Sequence, residues 1–249
     1  MCLIVVGWHS HPDYPLVVAA NRDEFYRRPS AAAARWNETG RIIAGRDLEA
    51  GGTWLGITEG GRFAAVTNVR EPGAVPGPRS RGDLTREFLA GSETPASYLA
   101  RVQGADFSGF NLLLADRDQL CYGSNRNGPP QVLEPGIYGL SNHLLDSPWP
   151  KLLTARRNFA AALPQLPDTS RLFALLADDE IVPDDALPRT GVSLEWERRL
   201  SAIFVRSADY GTRASTVVTR SLAGAICLEE RSFGPHGQGL QSSQISTGV

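Results

Sequence analysis

The chain has 249 residues, a formal net charge of −2, 42% hydrophobic and 21% charged residues. That length is enough to bury a substantial core in one large domain, and the composition is that of a globular chain rather than a disordered one. A nearly balanced charge with no long block of one sign gives no basis for electrostatic capture of nucleic acid or of an anionic membrane.

In chain order, "CLIVVGW" (2–8) and "PLVVAA" (15–20) flank the polar "HSHPDY", which predicts an antiparallel hairpin with a longer loop. Neither run alternates cleanly, so both faces of these strands should be covered. A second hairpin is predicted from "GTWLGIT", "EGG" and "RFAAVTN", the glycines supplying the turn. The proline- and glycine-rich "EPGAVPGPRSRG" (71–82) reads as loop. Helices follow: "GDLTREFLAG" with Asp83 as cap and Gly91 as stop, and "TPASYLARVQG" with Thr94 as cap, Pro95 at the first helical position and Gly104 as terminator.

Strands return in "FNLLLAD", "QLCYGSN" and "GIYGLSN", then helices in "PWPKLLTARRNFAAAL" and "TSRLFALLAD". "SLEWERRLSAIFV" reads either way, with a possible strand in its latter part, and "RASTVVTR" and "GAICLEERSF" form a closing hairpin around "SLAG". This order predicts an α+β fold, two mainly antiparallel sheets packed face to face with helices outside. One domain is expected over residues 1–233, followed by a flexible polar tail over 234–249.

The Cys count is three, widely spaced, with no CxxC pair, and the four histidines show no zinc spacing. Neither a disulfide framework nor a metal site is expected. "LIVVGW" is too short for a secretory core, and no run approaches the ~18 apolar residues of a membrane span. A soluble cytoplasmic protein is the expectation.

The chemistry centres on the second residue. If Met1 is removed, Cys2 carries a thiol and a free amine on one carbon, so nucleophile and base lie within one residue. An unperturbed α-amine titrates near ~7.7–8.0, which leaves a useful neutral fraction. If Met1 stays, Cys2 is a small strand residue. The polar cluster "ANRDEF" follows the second strand, and hairpin pairing brings Asn21, Arg22, Asp23 and Glu24 toward the N-terminus. A carboxylate there would hold the amine and a guanidinium would favour thiolate. Asn68 and Asn142 each end a strand, and an asparagine amide can donate to an oxyanion. Arg213 sits in "YGTRAST". Trp8, Trp36, Trp54 and Trp149 are core or pocket wall, with Trp54 carried as a ligand contact.

"MCLIVV…AANRDEFYRRPS", "GGTWLGIT", "GRFAAVTN", "GFNLLLAD", "YGLSNHLLDSPWPK" and "YGTRAST" together resemble the NRDE family, also called the transport and Golgi organisation family, over Met1 to about Phe233. The resemblance implies a four-layer αββα sandwich of the N-terminal-nucleophile hydrolase type, nearest the bile-salt and penicillin-V amidases. By that resemblance Cys2 matches the nucleophile, Asp23 the conserved aspartate, Asn68 an oxyanion donor, Asn142 the asparagine of the "L-S/T-N" segment and Arg213 the late arginine. One position departs: the amidases carry an arginine three residues before the aspartate, where Ala20 stands here. Arg22 has the same strand parity as Ala20 and serves that face only if the strand continues so far.

Two functions are expected from this reading. The first is hydrolysis of an amide C–N bond or a thioester by Cys2, with no cofactor required. The second is a non-enzymatic carrier of haem or of an acyl-CoA or lipid ligand, which the family resemblance also implies. There Arg22, Arg213 or Arg70 would sit at the cavity mouth and haem would be a transported ligand. The partner in either case is a small molecule, with no nucleic acid, and the sequence is silent on oligomeric state.

Overall fold

The computed structural model describes residues 2–36 and 41–248. In chain order the elements are β1 (Cys2–Trp8), β2 (Leu16–Phe25), β3 (Ser30–Arg35), β4 (Ile42–Asp47), β5 (Leu55–Thr58) and β6 (Phe63–Asn68), then α1 (Arg81–Ala90) and α2 (Pro95–Arg101). After these come β7 (Phe110–Ala115), β8 (Leu120–Ser124), β9 (Gln131–Leu133), β10 (Gly136–Leu140), α3 (Pro150–Ala162), α4 (Ser170–Leu176), α5 (Leu194–Arg199), β11 (Tyr210–Arg220), β12 (Ile226–Phe233) and β13 (Gly239–Ser246).

The strands form two antiparallel sheets, one of six strands in the order β10-β1-β2-β11-β12-β13 and one of seven in the order β3-β4-β5-β6-β7-β8-β9. Side chains alternate between the faces of a strand, and here both faces are buried. Ile4, Val6, Leu16, Val18 and Ala20 pack between the sheets against Ile43, Leu55, Ile57, Ala65 and Leu113. Their neighbours Leu3, Val5, Val17 and Ala19 face outward against Leu152, Phe159, Leu172 and Leu176 of α3 and α4. On the far side, Ala64, Val66, Leu112 and Leu114 meet Leu84, Phe88 and Leu99 of α1 and α2. This is the αββα layering expected from apolar runs that do not alternate.

Several elements differ from expectation. β2 does not stop at Ala20 but runs on through Asn21–Phe25, because β1 pairs it as far as Arg22 on one side and β11 as far as Phe25 on the other. The cap of α1 is Ser80, whose hydroxyl accepts from Gly82 N at 3.2 Å, and Asp83 lies inside the first turn. α2 begins at Thr94 and Pro95 as predicted but ends at Arg101, before Gly104. In "SLEWERRLSAIFV" only the first part is ordered as a helix; residues 200–205 form no strand, and Val205 instead accepts from Thr212 N and donates its N–H to Thr212 Oγ1 near the start of β11. β3 and β4 were not expected from the alanine-rich "SAAAAR" and its successor. Residues 234–249, expected as a loose tail, carry β13, which pairs along β12 from Cys227↔Ser246 to Phe233↔Gly239. Its polar residues read as tail because an edge strand needs only one bonded neighbour and no apolar face.

Among the described residues no helix is long and apolar enough to cross a membrane, and Cys2, Cys121 and Cys227 form no disulfide.

Candidate active site

The hairpin of β1 and β2 places Cys2 opposite Arg22, two positions beyond the Ile4↔Ala20 pair. Cross-strand partners share a face, so Cys2 and Arg22 look into the space between the sheets, below which Ala20 is packed in the core. Because β2 continues to Phe25, Arg22 occupies the face that Ala20 leaves without charge. The Cys2 carbonyl is pinned from β10's end, where Ser141 Oγ donates to it at 3.1 Å.

Between the sheet ends lies a cavity of about 500 Å³, lined by Cys2, Arg22, Asp23, Glu24, Trp54 and Asn68 among others, and closed by the 76–82 loop and the start of α1. Trp54 forms its floor. The Arg22 guanidinium stacks over the Trp54 ring at 4.3 Å from its centroid, and the indole lies against Gly45, where a Cβ would come within 2.3 Å of the ring. Arg22 Nη2 also reaches Asp47 Oδ2 at 3.4 Å, and Arg28 Nε donates to the same oxygen at 2.7 Å. Burial alone would raise the Asp47 carboxyl, yet the hydrogen bonds from Arg28 and Ala50 N–H outweigh it and hold it below the usual range.

Asp23 faces the outer layer by strand parity and reaches the cavity at the sheet's open end. Its Oδ1 accepts from Thr212 Oγ1 at 2.7 Å, and that hydroxyl accepts from Val205 N at 2.9 Å. Burial pushes the Asp23 carboxyl up, against the opposing charges of Lys151 and Arg22. Lys151 lies in α3, 6% exposed, and Nζ donates to Leu200 O at 2.9 Å. Burial brings its ammonium down to about 8, with Asp23 acting in the other direction. The Cys2 thiol is also pushed up, chiefly by burial and further by Asp23, while Arg22 draws it down.

The two asparagines form a pair rather than two separate donors. Asn142 is fully buried, and its Nδ2 donates to Asn68 Oδ1 at 2.9 Å and to Asn68 O at 3.2 Å. With Oδ1 so engaged, Asn68 holds its amide group in a fixed orientation; Nδ2 makes only a long contact, 3.3 Å, to Val69 O. Asn68 lines the cavity with Cys2, whereas Asn142 stands behind it.

Three other expected residues lie outside the cavity wall. Asn21 is buried and fully engaged, donating to Leu176 O and Ile203 O and accepting from Ser215 Oγ, so it ties the sheet to the helical layer. Arg213 is the extra residue of a bulge in β11 and its guanidinium binds Phe25 O, Arg28 O and Ser30 Oγ, bracing the turn after the NRDE segment. Arg70 forms a buried pair with Glu197 at 3.0 Å, with Thr190 bridging both, and stacks on Trp149. Breaking such a pair by removing one member typically costs ~3–5 kcal/mol, so its role is to fasten α5 beside the site. Glu24 does line the cavity, and its Oε1 accepts from Phe25 N.

The residues missed by sequence reasoning are Lys151 and Arg81. Lys151 carried a readable signal: it falls in the apolar stripe of α3 with Ala155 and Phe159, where a charge is out of place. Arg81 carried none. No histidine lines the cavity, and among the described residues no cluster of three or more His, Cys, Asp or Glu could hold a metal ion. Met1, whose removal the hydrolytic reading requires, lies outside the described residues.

The family model for Transport and Golgi organisation 2 matches residues 1–235. The Transport and Golgi organization protein 2 homolog of Bos taurus is 40% identical over 259 residues, covering 94% of this chain and 93% of the relative. The Homo sapiens homolog is 38% identical over 257 residues, with the same coverage. The Drosophila melanogaster Transport and Golgi organization protein 2 is 28% identical over 271 residues, covering 96% and 95%. Two solved structures share the fold. A Caenorhabditis elegans N-acylethanolamine-hydrolyzing acid amidase ortholog superposes with a TM-score of 0.51 at 15% identity, covering 87% of this chain and 92% of its own. The C2A mutant of a conjugated bile acid hydrolase from Clostridium perfringens gives 0.55 at 8% identity, covering 98% and 92%. Both are N-terminal-nucleophile hydrolases, and the fold here is theirs.

Proposed function

The chain belongs to the Transport and Golgi organisation 2 family, and from that membership we propose that it is an N-terminal-nucleophile hydrolase of an amide or thioester, with Cys2 as the nucleophile. The observation that carries this reading is the meeting of Cys2, Arg22, Asp23 and Asn68 on one cavity between the sheet ends. After removal of Met1, the free amine of Cys2 accepts the thiol proton as Sγ attacks the carbonyl carbon. Asn68 Nδ2 donates to the oxyanion, and Asn142 fixes its direction. The amine returns the proton to the leaving group, and water releases the acyl group from sulfur. Asp23 orients the amine, and Arg22 supplies the positive charge that favours thiolate. One of the two solved structures is described as an amidase that hydrolyses N-acylethanolamines, which supports an amide before a thioester.

A second reading, carriage of a ligand in the same cavity, is favoured by the cavity itself, about 500 Å³ with Trp54 and Arg22 in its wall, and burial also pushes the Cys2 thiol up. A protonated thiol in a pocket of ligand-binding size is a weak nucleophile but an adequate wall. For haem cargo Cys2 is the ligating atom the cavity offers, since its wall contains no histidine.

One experiment separates them. The protein is incubated with acyl ethanolamides, acyl glycines and acyl thioesters of one chain length, quenched in acid and digested. Hydrolysis predicts an acyl mass on the Cys2 peptide and release of the leaving group. A Soret shift on titration with haem, with no acyl adduct from any substrate, would move the assignment to the carrier.

A further inference from the structure

The cavity wall contains Arg22, Arg28, Arg79 and Arg81 and also four carboxylates. The total charge is therefore balanced, but the pairing is not. Arg28 is held by Asp47 and Glu49, and Arg79 by Glu87, in each case through direct ion pairs. Arg22 shares Asp47 with Arg28 and also pairs with Glu24 at 4.0 Å, and its Nη1, without a hydrogen-bond partner, is itself fully buried. Arg81 makes a single hydrogen bond, from Nη1 to Gly109 O at 3.1 Å, and has no carboxylate within 4.0 Å among the described residues. A guanidinium has five donors, so most of those on Arg81 remain available.

The position of Arg81 gives this surplus a use. It is the first residue of α1, and its backbone is set by the Ser80 cap and by the 76–82 loop, in which Gly77 N donates at 2.9 Å to Ser108 Oγ of the segment leading into β7. It lines the Cys2 cavity and also an adjoining groove of about 370 Å³ walled by Phe25, Trp196, Leu200 and Tyr210, and Asn68 and Glu24 line both spaces with it. Arg81 therefore stands at the divide between a polar chamber that holds the thiol and an apolar one. Burial lowers its guanidinium, and the negative charges of Cys2 and Glu24 act in the other direction.

We propose that Arg81 recognises an anionic group on the ligand, a carboxylate or phosphate, and so selects anionic compounds for the Cys2 cavity. This deepens the hydrolase reading but depends on the cavity alone, because it concerns which molecules approach Cys2 and not whether they are cleaved. A forked guanidinium suits either oxyanion through paired hydrogen bonds.

A matched pair of alkylating agents tests it without any turnover. Iodoacetate is anionic and iodoacetamide is neutral, and both react with the same thiolate. The ratio of their rates at one cysteine cancels the thiolate fraction and reports the local preference for negative charge. Rates are read by peptide mass spectrometry at Cys2, with the partly exposed Cys227 as internal reference. The native protein is expected to show a ratio at Cys2 about five- to tenfold above that at Cys227, the size expected of one uncompensated charge in a partly screened cavity. Arg81→Gln should bring it down to the Cys227 value and Arg81→Lys should keep most of it. Arg86→Gln, at an exposed arginine paired with Asp83 outside the cavity, should leave it unchanged. Equal ratios in the native protein and in Arg81→Gln would overturn the proposal, as would a native ratio no higher than that of Cys227 or the absence of Cys2 labelling by either reagent. An anion preference without any acyl adduct would keep Arg81 as a selector and set the hydrolase reading aside.

Discussion

Alanine at Cys2 is expected to abolish turnover of any amide or thioester that the native protein cleaves, by at least ~10⁴-fold in kcat, as removal of a nucleophile does in related mechanisms. The reason is local. Sγ makes the bond to carbon, and no second thiol, serine or threonine in the described wall stands opposite Arg22 on the β1–β2 ladder. The fold should not notice the change. Cys2 is partly exposed, and the strand is held there by its carbonyl, which Ser141 still binds, and by its pairing with Arg22. Initial rates and a urea unfolding midpoint on the same preparation give both answers. Activity within tenfold of the native protein, with the midpoint unmoved, would mean that the bond is broken by something other than Cys2.

Replacing Asn68 by alanine should lower kcat by ~10²–10³, the usual consequence of removing one oxyanion donor. KM should change little, because the donor acts on the charge that develops in the transition state. Asn142→Ala should cost less, since the Asn68 amide remains and loses only the partner that fixes its direction. If Asn142→Ala proved the more damaging of the two at equal stability, the oxyanion donor would have to be reassigned from Asn68.

The order of these effects follows from features only partly visible in the sequence. The strand runs at Cys2–Trp8, Phe63–Asn68 and Phe110–Ala115 were legible because packed inner strands are continuously apolar. β13 and β3 were not, since an edge of serine, glutamine or alanine has no apolar signature and is fixed by its neighbour's register. In the site, the placement of Cys2, Arg22, Asp23 and Asn68 followed from strand ends and hairpin pairing, which local sequence encodes. Asn21, Asn142, Arg70 and Arg213 were chosen for the same residue types, but the structure puts them behind the wall. Their partners, such as Leu176 O, Glu197 and Phe25 O, come from distant parts of the chain. Arg81 was hidden for the converse reason: what sets it apart is the ion pair it lacks, and a sequence records only that an arginine is present in a loop.

The central claim is that Cys2 works as an N-terminal residue, and the intact mass of protein expressed without an added N-terminal tag reaches it most directly. The expected mass lacks one methionine, so that Cys2 carries the free amine beside its thiol. Met1 retained on most molecules would contradict it, because the proposed base would then be an amide nitrogen with no proton-accepting lone pair to offer.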